Sequence, residues 1–207
     1  MSPLDALDFA AVFVFALTGA LTASRAQLDI IGFAFLASLT AVGGGTIRDL
    51  LLYQNPIFWI DDPRYILIAC AAAALVFVTA HLFESRLRVI LWLDALALSV
   101  AVAAGAGVAL ATGQSPIIVA LMGAVTGTMG GLMRDVVANE VPLALKQGEL
   151  YVTAAFAGAV AALLTAGVTD HTLAPLAACT AVTLILRAGS IAFGWRLPVY
   201  KSRPPKQ

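Results

Sequence analysis

Charge is scarce in this 207-residue chain: Asp, Glu, Lys and Arg together make up 12% of it, against roughly a quarter in ordinary soluble domains. The 12 basic and 12 acidic residues cancel, which removes the positive field that draws a protein to nucleic acid. Only two cysteines occur, Cys70 and Cys179, and two histidines, His81 and His171. None has a neighbour at metal-ligand spacing, so no metal site and no resident cofactor is expected. The cysteines lie inside apolar runs and are read as buried free thiols, and the histidines as residues at the ends of such runs. No Walker A, HExxH, GxSxG or paired-cysteine motif occurs, so nothing points to an enzyme or an ATP-driven pump.

What is abundant is apolar surface: 61% of the residues are hydrophobic. A soluble domain of this size has too little interior to hide that share, so the solvent for most of the chain is lipid. A spanning helix takes roughly 20 largely apolar residues. Runs of that kind fall at about 6–24, 29–52, 64–83, 89–111, 116–138, 150–168 and 173–194. The first carries Asp5 and Asp8 and no basic residue ahead of it, which fits a retained span better than a signal peptide. Short polar breaks separate the runs. Residues 1–195 are read as a single transmembrane domain, and the basic, proline-containing segment 196–207 as a disordered tail.

Lys and Arg set the orientation. The breaks holding Arg25, Arg86 with Arg88, and Lys146, together with the tail, are basic; the alternate breaks are poor in Lys and Arg. The expectation is an N-terminus outside and a C-terminus in the cytoplasm, in a bacterial inner membrane.

A shift of 86 residues lays the sequence on itself without gaps: Asp8 falls on Asp94, Gly19 on Gly105, Thr40 on Thr126, Gly44-Gly45 on Gly130-Gly131, Arg48-Asp49 on Arg134-Asp135, Pro56 on Pro142 and Tyr65 on Tyr151. Each unit holds three spans, an odd number, so the second enters the membrane upside down, as in many transport proteins. The predicted fold is all-α: seven transmembrane helices in two inverted three-helix repeats, about 5–84 and 91–170, plus an extra helix at about 173–194.

The chemistry-bearing segments sit in spans 2 and 5. Gly43-Gly44-Gly45 and Gly130-Gly131 weaken a helix and permit a kink. Carbonyls freed there must face protein or water and are good cation partners. Met129 stands where the first repeat has Gly43, which predicts a shallower second kink. The Arg48-Asp49 and Arg134-Asp135 pairs follow a turn later, and intramembrane charge normally faces an interior or a pathway. Three bland readings stand beside this one. The four-residue stripes of small residues suit helix packing. The arginines suit snorkelling, and the aspartates suit loop caps. In antiparallel units the layout is a central constriction of glycine backbone with an Arg-Asp pair at each mouth. Arg187, inside the seventh span, is read as a gate or a lipid contact. Small runs in spans 1 and 4, Gly19 to Ala23 and Ala101 to Gly107, are read as surfaces for assembly.

These paired GG-x-x-RD segments and the three-plus-three-plus-one arrangement resemble the prokaryotic trimeric intracellular cation (TRIC) channels, over about residues 5–195. The resemblance implies a homotrimer with one potassium-permeable pore per subunit, lined by kinked helices 2 and 5. Monovalent cations and membrane lipids would then be the partners, and Gly43, Gly44, Gly45, Gly130 and Gly131 would lie at the pore. Bacterial proteins thought to take up glycine share the motif, so a secondary transporter for glycine or another small amino acid is the alternative.

Overall fold

A computed structural model describes residues 2–82, 86–169 and 171–198. The expectation of a disordered tail lies, from residue 199 onward, outside the described residues. Among the described residues eight α-helices follow in order: α1 (Pro3–Arg25), α2 (Ile30–Leu51), the short α3 (Phe58–Asp61), α4 (Arg64–Thr79), α5 (Arg86–Ala111), α6 (Pro116–Val137), α7 (Val152–Ala166) and α8 (Leu173–Phe193). Six of the apolar runs are helices long and apolar enough to cross a membrane; the sixth run in chain order gives α7, with only 15 residues. The chain is an all-α membrane protein.

Local chemistry sets the helix ends. Ser2 and Asp5 form a capping box at the start of α1, and Asp29 caps α2 by accepting from Gly32 N at 2.8 Å. Four helices end alike. Gln27, Tyr53, Gly113 and Asn139 all take left-handed backbone after α1, α2, α5 and α6, and the next amide reaches back five residues, as in Gln54 N to Asp49 O and Glu140 N to Asp135 O, both 2.8 Å. Gln27 and Gly113, like Tyr53 and Asn139, are 86 apart, so the repeat extends to its turns.

Helices α1, α2, α5 and α6 form the inner bundle, with α4 against α1 and α2, α7 against α5 and α6, and α8 against α5 and α7. The two apolar cores follow the two repeats. The start of α1, the ends of α5 and α7 and the start of α8 meet around one cleft. The end of α1, the start of α5 and the end of α6 meet at the opposite end. Equivalent helices of the two repeats therefore run in opposite directions.

Two expectations are corrected. Cys70 is exposed on the outer face of α4, whereas Cys179 is buried as expected. The small runs in the first and fourth spans do not face outward. A β-carbon at Gly19 would meet Leu36 O at 2.6 Å, and Ala101 to Ala106 are buried. Their small size serves packing inside the subunit, where α1 and α5 are central.

Candidate functional site

The centre of the bundle is the crossing of α2 and α6. A β-carbon at Gly44 would fall on the carbonyl oxygen of Thr126, and one at Gly130 on the carbonyl oxygen of Thr40. The contact is reciprocal, each glycine receiving the backbone of its counterpart's helix. Both threonines turn their hydroxyls back to the preceding turn, Thr40 to Leu36 O and Thr126 to Met122 O, at 2.6 Å each. They also wedge against Gly19 of α1 and Gly105 of α5. Backbone meets backbone here because the sequence supplies no side chain, as at other close membrane-helix contacts. Gly43, Gly45 and Gly131 lie around this point against Met133, the Phe58 ring and Tyr151. Both glycine segments lie within uninterrupted helical spans.

Beyond the crossing, at opposite ends, stand two equivalent charge triads. Arg48 donates to Asp49 through Nε at 2.7 Å and to Asp8 of α1 through Nη1 at 2.8 Å. Arg134 donates to Asp135 at 2.8 Å and to Asp94 of α5 at 2.9 Å. The second oxygen of each following aspartate accepts a loop amide: Phe58 N for Asp49 and Leu143 N for Asp135. Each aspartate thus holds both an arginine and the loop that follows its helix. The arginine side chains are only 2% and 1% exposed, so they do not snorkel. Each arginine pairs with its following aspartate and with a second carboxylate from the neighbouring helix, and pairing with two carboxylates is what lets it stay charged in the bundle. Asp8 and Asp94 are the partners that sequence reasoning missed.

The two ends differ. Next to Asp8 a polar vestibule of about 430 Å³ opens, lined by Asp5, Asp61, Asp62, Arg64 and aromatic rings. Asp62 carries two of its hydrogen bonds from Arg64 Nε, at 2.8 Å each, and these hold its carboxyl below the usual carboxylate range. From Asp8 and Phe58 a narrow cavity of about 10 Å³ continues to Gly44 and Thr126. At the opposite end the space beside Arg134 and Asp135 is also only about 10 Å³, and Arg25 and Glu140 on its wall are ion-paired at 3.0 Å. Arg187 is wholly buried in α8, 2.7 Å from Glu149 and with its guanidinium over the Tyr151 ring.

An inverted pair of helix triplets, crossing at glycine and flanked by charge triads, is a polytopic membrane architecture shared with many transport proteins. Comparison with known proteins sharpens this. A family model described as "Glycine transporter" matches residues 5–81 and again 91–167, two matches offset by the same 86 residues as the internal repeat. The chain belongs to that family, the UPF0126 membrane proteins, within the prokaryotic TRIC group. One relative is the inner membrane protein YadS of Escherichia coli K12, 36% identical over 201 residues, which cover 94% of each chain. Among solved structures, the TRIC orthologue from Rhodobacter sphaeroides is similar at 41% identity with a TM-score of 0.90, covering 94% of this chain and all of that one. A second prokaryotic TRIC channel is similar at 30% identity and a TM-score of 0.87, over 92% of this chain and 96% of that one.

Proposed function

We propose that this chain is a monovalent cation channel, permeable to potassium, with one pathway in each subunit of a homotrimer. In this reading it sits in a bacterial inner membrane with the N-terminus outside, crosses seven times counting the short α7, and uses the glycine segments of α2 and α6 as the points where the pathway bends. The observation that carries the reading is the acidic vestibule. Asp5, Asp8, Asp61 and Asp62 face it against Arg64, so the mouth attracts cations. The likeness to TRIC channels at 41% and 30% identity supports it. Lipids surround the outer faces, and no enzymatic chemistry is assigned.

The family's description favours a glycine transporter, and buried arginines are suitable carboxylate partners. Size argues against it. The cavity beside the crossing holds about 10 Å³, room for about one water-sized species, while glycine has five heavy atoms. Moreover, the arginines of both triads are already neutralised within the protein. Single-channel recording of the purified protein in planar bilayers tests the proposal. Unitary potassium currents are expected, and silence across a wide voltage range counts against it.

A further inference from the structure

The two repeats build the same triad but not the same mouth. In repeat one the triad opens on the 430 Å³ vestibule, and the Asp8 side chain is 13% exposed. The vestibule wall is made by Phe9, Phe58, Asp62, Arg64 and Tyr65. Shifted by 86 residues, these become Ala95, Ala144, Gly148, Leu150 and Tyr151. Four of the five become smaller or apolar and the tyrosine is kept, yet the space beside Arg134 and Asp135 is only about 10 Å³ and the Asp94 side chain is fully buried. The space is taken by the one helix that has no counterpart in the repeat. Helix α8 delivers Arg187 onto the Tyr151 ring and into a 2.7 Å pair with Glu149, and its Ser190 Oγ accepts from Leu150 N at 3.2 Å. After α8 the chain turns at Gly194, with φ of 69°. The Trp195 ring then covers Gly189, the backbones of Arg196 and Glu149 pair in an isolated antiparallel β-bridge, and Leu197 N donates to Gly148 O at 2.8 Å.

We infer that α8 and the strap at residues 194–197 are a built-in closure of the second vestibule, with Arg187–Glu149 as its latch, and that release of this closure exposes Asp94 as Asp8 is already exposed. The inference rests on the reading of two mouths joined by one pathway. The arginine is poorly satisfied where it lies: its Nε and Nη2 have no protein hydrogen-bond partner among the described residues. A single charged contact with Glu149 thus holds it in the closed position, and losing that contact leaves a buried cation with a strong drive toward water.

The test is thiol accessibility, which does not depend on flux. Ala95→Cys is introduced with Cys70 and Cys179 replaced by alanine, and a membrane-impermeant maleimide is applied from either side. Two releasing variants are compared in this background. Glu149→Gln removes the latch charge. Leu197→Pro removes the amide that binds Gly148 O, at an exposed position outside any helix, and so spares the fold. The closure predicts slow labelling of the introduced thiol in the parent. In each variant that remains a folded oligomer it predicts faster labelling, from the α8 C-terminal side only: at least about tenfold for Glu149→Gln, which takes the charge out of a charged hydrogen bond, and about two- to tenfold for Leu197→Pro, which removes a neutral backbone one. Unchanged labelling in both folded variants overturns the closure, as does rapid labelling in the parent. Faster labelling without potassium flux in any variant supports the closure and speaks against the channel.

Discussion

Adding one methyl group at Gly44 or at Gly43 should have opposite effects, although the two residues are adjacent in α2. At Gly44 the new carbon lands on the Thr126 carbonyl oxygen, which belongs to the α6 backbone and can retreat only if the helices part. At Gly43 the nearest atom is Met133 Sδ at 2.8 Å, the end of a flexible side chain that turns aside. Alanine gains about 1 kcal/mol over glycine in a helix at either position. Forcing packed backbones apart costs about 1–3 kcal/mol, so the net expectation for Gly44→Ala is a loss of up to about 2 kcal/mol. Gly43→Ala is expected to range from neutral to a gain of about 1 kcal/mol. For a chain of this length each kcal/mol moves the unfolding midpoint by about 2–4 °C. Gly130→Ala should repeat the Gly44 result, because its new carbon meets the Thr40 carbonyl oxygen. Thermal unfolding of the purified oligomer in mild detergent measures all three. Equal midpoints for Gly43→Ala and Gly44→Ala would refute the backbone crossing.

The triads give an ordering: Asp94→Ala should cost about 3 kcal/mol, and Asp8→Ala distinctly less, because water reaches Asp8 but not Asp94; thermal midpoints of the two variants check this. Asp61→Asn with Asp62→Asn should lower potassium conductance severalfold at low ionic strength and little in molar salt, since the vestibule acts through screened field; conductance against salt concentration measures it. Asp62 has a depressed carboxyl value, so its charge is present above that value and lost only as pH falls through it. Arg64→Gln should remove the depression and move the acid block of conductance to higher pH, toward about 4, which a pH series on both proteins reads.

Much of this was legible in the sequence because the repeat is strict. Runs of apolar residues marked the helices, and the 86-residue register carried the opposite orientation of the repeats and the pairing of Gly44 with Gly130. The partners of the arginines were harder to see. Asp8 and Asp94 each lie 40 residues before their arginine, and only antiparallel packing of α1 on α2, and of α5 on α6, brings them together. The equal separation in both repeats was the available signal. The vestibule was hidden for another reason: residues 55–64 read as a polar break, and only the short α3 places Phe58 and Asp61 against Asp8. Of α8 only Arg187 stood out, read as a gate or a lipid contact; its pairing with Glu149 was hidden because a helix outside the repeat has no counterpart to be compared with.

The most direct test of the account is a paired flux measurement on the same proteoliposomes. Passive potassium flux is recorded with and without millimolar glycine, and labelled glycine uptake is recorded beside it. The channel account predicts potassium flux above protein-free vesicles, unaffected by glycine and without saturable glycine uptake. Saturable glycine uptake with no potassium flux above the protein-free level would contradict it.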